Sequence, residues 1–168
     1  MHWLYLFSVW VHILAAMTWV GGMGFLVLVV VPWLRAGNRA EAGKFLRETG
    51  ERFRMVGWSC FVALIVTGTV NLYYRGVRPA DFARTEWLHT QFGRAITLKL
   101  SVFVLILLMS AVHDFVIGPR AVRAIEADPT SSESARLRRY ASVLGRVNAL
   151  AALVVVALAV TLIRGWPL

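Results

Sequence analysis

Hydrophobic positions along the chain form four long runs, at about 3–33, 55–75, 95–118 and 141–163. Each run is long enough to cross a bilayer, because roughly 20 helical residues rising about 1.5 Å each span the hydrocarbon layer. The runs are apolar on all sides, whereas the strands of a membrane barrel alternate apolar and polar residues. The pattern therefore predicts an all-α fold, an integral membrane four-helix antiparallel bundle that forms a single domain over residues 1–168.

Composition leads to the same class of protein. Hydrophobic residues make up 58% of the 168 residues, and the mean hydropathy is +0.65. This leaves too little polar surface for a soluble globule of this size, so membrane lipid is the expected surrounding. The first run has neither a basic leading region nor a small-residue cleavage site before its apolar core, and we expect it to be retained as a helix.

The basic residues that give the net charge of +9 lie mainly in the connections between the runs. Basic residues close to membrane spans mark the cytoplasmic side, so this charge does not indicate binding to nucleic acid. Two thirds of them lie in the first and third connections: Arg35, Arg39, Lys44, Arg47, Arg52, Arg54, Arg120, Arg123, Arg136, Arg138, Arg139 and Arg146. We therefore expect both termini to lie outside.

Polar residues inside the runs fall into an outer and an inner group. Counted from the outer end, His12 lies about 13 Å deep, Asn71 about 8 Å and Lys99 about 6 Å. His113 and Asp114 lie roughly 27 Å from the outer end. Intramembrane charges normally face the bundle interior or a water-filled cavity. Lys99 has an alternative, because its long side chain can also extend outward to the headgroups.

Helical periodicity, about 100° per residue, places several of these groups on common stripes. Lys99, Ile106 and His113 share one face of the third helix, which would line a conduit or pack as core. On the inner side, Asp114 is expected to form an ion pair with Arg146 of the fourth helix.

Soft and nitrogen-containing side chains on these stripes suit Cu(I). An inner site would use sulfur atoms and one imidazole, and an outer site would use imidazoles alone; the candidates are Met23, Cys60, Met109 and His113 inside, and His12 and His89 outside. The alternative is packing, since methionine fills irregular gaps and a lone buried cysteine behaves as a small hydrophobe. His89 can equally belong to an interfacial aromatic loop, "RGVRPADFARTEWLHTQFGR".

Two segments carry a resemblance to a known family: "VHILAAMTWVGGMGFLVLVVVPWLR" and "GRAITLKLSVFVLILLMSAVHDFVIGPRA". Together they resemble the copper-resistance D (CopD) family of bacterial inner-membrane proteins. More remotely, the chain is similar to the HemJ-type protoporphyrinogen oxidases. The first resemblance implies copper movement or tolerance at the inner membrane. If the face of Lys99 lines a conduit, the lysine would repel free cations and favour handover of copper from a periplasmic carrier. The second resemblance implies b-type haem and a redox partner, with His12, Lys99 and His113 as its matching residues.

Haem places a further demand on the histidines, because two axial ligands must reach one iron from opposite faces. His12 and His113 differ by about 14 Å in depth, which is too far for one haem. His12 and His89 could serve if the middle connection folds inward. The leading expectation is thus a copper-handling membrane protein; the alternatives are a haem b redox protein and an assembly or structural subunit without a cofactor.

Overall fold

The structure, a computed structural model, describes residues 2–36, 39–128 and 130–164. Its α-helices are α1 (His2–Phe25), α2 (Val31–Ala36), α3 (Arg39–Tyr74), α4 (Thr85–His89), α5 (Gln91–Val112), α6 (Gly118–Ala127) and α7 (Ser132–Arg164). The side chains of Arg35, Arg39, Lys44 and Arg47, which entered the topology prediction, lie outside the described part.

Two π-helical turns join helices end to end without breaking them. Leu26–Val30 connects α1 to α2, and His113–Ile117 connects α5 to α6. The described residues thus form four continuous helical stretches that are apolar and long enough to cross a membrane: His2–Trp33, Glu48–Tyr74, Gln91–Ala127 and Ser132–Ile163. The all-α, four-helix membrane fold predicted from the sequence is confirmed.

The helical stretches extend beyond the predicted apolar runs mainly at one end of the bundle. The second begins near Glu48 instead of residue 55, and the third continues to Ala127 instead of 118. These extensions are rich in Ala, Glu and Arg, which have high helix propensity but low hydropathy. Hydropathy therefore marks only the part of each helix that lies in hydrocarbon.

Neighbouring helices run antiparallel, as the paired residues show. Between α1 and α3, Tyr5 stacks near Tyr74, and Trp19 packs against Phe61 with ring centroids 4.9 Å apart. Between α5 and α7, Asn148 donates a hydrogen bond to the Ser110 hydroxyl, 3.0 Å long. Residues paired by these contacts lie at the same level along the bundle axis.

The core receives side chains from all four stretches. Its cluster consists of Ala15, Trp19, Met23, Cys60, Phe61, Leu64, Ile106 and Ala152. Phe61 and Ile106 are the largest fully buried apolar side chains, with 2% and 0% exposure. Most other large apolar residues face outward, as Leu28, Leu150 and Ile163 do, and a lipid environment would cover them.

The middle connection forms a compact cap at the opposite end of the bundle from α6. It contains a short 3-10 turn at Pro79–Ala83 and the single-turn helix α4. Phe82 packs edge-on against Trp87, with ring centroids 5.0 Å apart. The carbonyl oxygen of Trp87 lies so close to Gly93 that a Cβ there would collide with it, so this junction requires glycine.

Candidate functional site

His12 lies at the contact between α1 and α3, in the half of the bundle nearer the middle connection. Its Nδ1 atom is 2.8 Å from the Thr67 hydroxyl oxygen. One turn earlier on α1, the Ser8 hydroxyl donates to the Thr67 carbonyl oxygen at 3.3 Å. Gly68 provides room for the imidazole, because a Cβ at Gly68 would come within 3.4 Å of the His12 Cε1 atom.

The hydrogen bonds of Thr67 determine which His12 nitrogen carries the proton. The Thr67 hydroxyl lies 2.5 Å from the Ala63 carbonyl oxygen, which can only accept, so the hydroxyl proton points there. The hydroxyl oxygen must then accept from His12, and Nδ1 is the protonated nitrogen. The Nε2 atom of His12 is left with a free lone pair, the form in which histidine binds metals.

Two further polar groups belong to the same half of the bundle. Lys99 on α5 is close enough to interact electrostatically with both His12 and Arg75. Within the described part of the chain Lys99 makes no hydrogen bond or ion pair. The Asn71 side-chain oxygen, one turn from Thr67 on α3, is buried without a hydrogen-bond partner. The outer polar group expected from the sequence therefore contains a cationic side chain, Lys99, and a buried amide oxygen, that of Asn71, without a hydrogen-bond partner.

His113 lies at the first position of the π-helical turn, near the other end of the bundle. Its Nδ1 atom is 2.9 Å from one carboxylate oxygen of Asp114. The other carboxylate oxygen accepts a 3.0 Å hydrogen bond from the indole N–H of Trp58 on α3. A carboxylate only accepts, so Nδ1 of His113 carries a proton, and in the neutral imidazole Nε2 again keeps its lone pair. The His113 side chain is 38% exposed and can be reached from outside the core.

Aromatic and basic side chains fix this second histidine site in place. Trp58 packs against Phe61 and Phe115, with ring centroids 5.4 Å away in both cases. Arg54 donates to the Asp114 carbonyl oxygen at 3.2 Å and lies over the Phe115 ring. In both sites, a hydrogen bond at Nδ1 orients the imidazole ring and leaves Nε2 available to bind a ligand.

The ion pair predicted between Asp114 and Arg146 is wrong. Arg146 is exposed, and its Nε atom donates to the Ser142 carbonyl oxygen on its own helix. The two oxygens of the Asp114 carboxylate instead accept hydrogen bonds from Trp58 and His113, one each. Asp114 and Arg146 lie at similar depths in the bundle, but depth does not determine on which side of its helix a residue lies.

The two histidines are well separated along the bundle. Their partners Thr67 and Trp58 are nine residues apart on α3, which corresponds to about 14 Å. Packed side chains of Trp19, Phe61 and Ile106 fill the level between them. A single haem held by both histidines is therefore incompatible with this arrangement, in agreement with the depth estimate.

The other proposed ligands do not all lie at one level of the bundle. Met23 and Cys60 are buried in the core cluster, but Met23 follows Gly22, which packs on Phe53, seven residues or about 10 Å from Cys60. Met109 is half-buried, and His89 is exposed at the end of α4, outside the spans. The middle connection does not fold inward to bring His89 to His12. Across residues 2–36, 39–128 and 130–164, no three His, Cys, Asp or Glu side chains form a group that could hold a metal ion.

Comparison with known proteins decides the family. The model of the family described as copper resistance protein D matches residues 47–162, which is more than half of the chain. The chain belongs to the copper resistance protein D family. The matched range includes Thr67, Lys99 and His113, whereas His12 precedes it.

Two relatives of this copper resistance protein D family member are informative. An uncharacterised protein of Aquifex aeolicus is 33% identical over 158 residues, covering 92% of both chains. The copper transport protein CutJ of Bacillus subtilis is 28% identical over 102 residues, which cover 61% of this chain and 17% of CutJ. No solved structure matches the chain. The family resemblance seen in the sequence is confirmed, and it makes this a copper-related membrane protein.

Sequence reasoning placed Asp114 beside His113, but it did not assign Thr67 or Trp58 to either histidine site in this family member. Thr67 lies on the same stripe of α3 as Cys60 and Asn71, so its inward direction could be seen from periodicity. Its pairing with His12 could not, because this depends on how α1 and α3 are rotated against each other. Trp58 carried no signal beyond being a tryptophan near a membrane boundary.

Proposed function

We propose that this protein binds copper(I) and moves it across the membrane, using His12 and His113 as its two binding positions. The observation that carries this proposal is their shared geometry: each imidazole donates from Nδ1 to a fixed partner and keeps Nε2 free. Metal-ligating histidines are usually oriented in this way by a hydrogen bond from the other ring nitrogen. Membership of the copper resistance protein D family favours copper over other metals that imidazole binds.

The sulfur-containing side chains fit a path between the two histidines. Cys60 and Met109 belong to the inner half, on α3 and α5, where Trp19, Phe61 and Ile106 block passage in the present packing. Thiolate and thioether groups are the ligands that Cu(I) prefers. We therefore assign Cys60 and Met109 to transient contacts made when the core repacks during transfer.

The proposed setting is the bacterial inner membrane, with both termini and the middle connection on the periplasmic face. His12 would then receive copper from a periplasmic carrier and His113 would release it inside. Lys99 repels free cations, which favours delivery by a partner over capture of the free ion. A reporter inserted near Ser131 should behave as cytoplasmic and one fused after Leu168 as periplasmic; the reverse would invert the direction of transfer.

Copper content and an absorption spectrum of detergent-purified protein test the proposal. We expect bound copper after loading with Cu(I), no Soret band, and a loss of at least about tenfold in Cu(I) affinity for His12→Ala or His113→Ala. His89→Ala is the matched control, because His89 is exposed outside the spans and should bind as the wild type does.

Other outcomes separate the alternative functions. A Soret band that disappears in His12→Ala would support the haem b redox protein instead. If the purified protein holds neither copper nor haem, and His12→Ala only lowers the melting temperature, His12 is a packing residue. This result would favour an assembly or structural role.

A further inference from the structure

One face of α7 combines exposed arginines with an exposed apolar stripe. Near its start, a groove of about 610 Å³ is lined by Ala135, Arg136, Arg139, Tyr140 and Val143. The spacing from Arg136 to Arg139, Tyr140 and Val143 is three, four and seven residues, so these side chains share one helix face. Both arginines are exposed, and no ion pair involves them in the described part of the chain.

The same face continues into the membrane-spanning part of α7 as an apolar stripe. Val143, Val147, Leu150 and Val154 follow at intervals of four, three and four residues, and all are exposed. The buried side chains of α7 in this region, Asn148 and Ala152, lie on the opposite side. The stripe therefore faces lipid, and the groove lies directly at its end.

The level of the arginines matches the headgroup region. Asn148 is level with Ser110, to which it is hydrogen-bonded, and Arg139 lies nine residues or about 13 Å further toward this end of the bundle. On α5, Asp114 lies four residues or about 6 Å beyond Ser110. Arg139 is thus about 7 Å beyond Asp114, within the interfacial layer, which adds about 5–8 Å to each side of the hydrocarbon.

We propose that this face of α7 is a binding site for one anionic phospholipid. The phosphate would lie between Arg136 and Arg139, since guanidinium groups form charge-assisted hydrogen bonds with phosphate oxygens. An acyl chain lies along Val143, Val147 and Leu150, and the Tyr140 ring sits at the boundary where amphipathic aromatics are stable. Basic pockets beside membrane spans bind anionic headgroups by this combination of charge and apolar contact. The proposal is independent of copper binding.

Native mass spectrometry of the full-length protein, mixed with dioleoylphosphatidylglycerol or dioleoylphosphatidylcholine in detergent, tests this site. We expect the wild type to retain one phosphatidylglycerol in preference to phosphatidylcholine. The double variant Arg136→Gln/Arg139→Gln should lose about tenfold of this retention, since each charged contact contributes to phosphate binding. The single variants should fall between the two, and they keep the test informative if the double variant does not fold.

Arg120→Gln/Arg123→Gln is the matched control, because it removes two exposed arginines from α6 at the same end of the bundle. It should retain phosphatidylglycerol like the wild type. Equal losses in the control and the α7 variant would show general charge attraction and overturn the proposal. Retention of phosphatidylcholine equal to that of phosphatidylglycerol would overturn it too, as would full displacement of the lipid by inorganic phosphate, which has no acyl chain.

Discussion

At the scale of single residues, the hydrogen-bond partners of His12 and His113 fix the geometry of the two candidate sites. The Thr67 hydroxyl donates a hydrogen bond to the Ala63 carbonyl oxygen and so accepts from His12, while the Asp114 carboxylate accepts from His113 and Trp58. Each arrangement fixes both the tautomer and the orientation of an imidazole. Such partners typically contribute 10- to 100-fold to metal affinity, on the order of 1–3 kcal/mol.

Thr67→Val tests this role, because valine has nearly the same shape but no hydroxyl. Nδ1 of His12 loses its acceptor, the tautomer is no longer fixed, and Cu(I) affinity should fall by about tenfold or more. A competition titration with a Cu(I) chelator measures the affinity. Thr69→Val is a suitable control, since the exposed Thr69 hydroxyl bonds the Ile65 carbonyl oxygen in the same way but contacts no histidine. Unchanged affinity in Thr67→Val would show that His12 does not bind copper through Nε2.

The sequence identified both histidines and placed Asp114 beside His113, but it did not show that Thr67 and Trp58 complete the two sites, and the reason is physical. An imidazole in a membrane span stands out because leaving it unsatisfied costs several kcal/mol, so its position alone indicates an interaction. Which group satisfies it depends on the rotation of neighbouring helices. That rotation follows from the packing of Trp19 on Phe61 and of the His12 ring near Gly68, contacts made across about fifty residues of sequence.

At the scale of elements, the stripe from Lys99 to His113 on α5 is a packed surface along its middle. Ile106 has 0% exposure and Ser110 has 6%, and Val102 packs against the core cluster. Periodicity predicted the common face correctly, but it could not decide between a conduit and core. The choice rests on the bulk of Phe61 and Trp19 on the facing helices, which fill the space a conduit would need.

Single cysteines at Val102, Ile106 and Ser110, in a folded Cys60→Ser background, test this packing. We expect all three to be protected from a small water-soluble thiol reagent in the resting protein, because these positions lie in or against the core. A cysteine replacing the exposed His89 should react readily and serves as the control. Rapid reaction at position 106 would show an open conduit and contradict the packed core.

At the scale of the whole molecule, four helical stretches bury a small core and expose most of their apolar surface to lipid. Length and hydropathy suffice to predict this architecture, because only helices and closed barrels satisfy the backbone in hydrocarbon and these runs lack the alternation of a barrel strand. The small core is compatible with the proposed copper transfer, since few side chains would have to repack between its two halves. His12 and His113, about 14 Å apart, mark the ends of this barrier.

Copper K-edge X-ray absorption of the Cu(I)-loaded protein tests most directly whether imidazoles bind the metal. We expect imidazole nitrogen in the first shell of the wild type, with outer-shell imidazole scattering that is strongly reduced in His12→Ala/His113→Ala and unchanged in His89→Ala. A first shell of sulfur alone in the wild type would contradict the account. It would move the binding site from His12 and His113 to Met23, Cys60 and Met109 in the core.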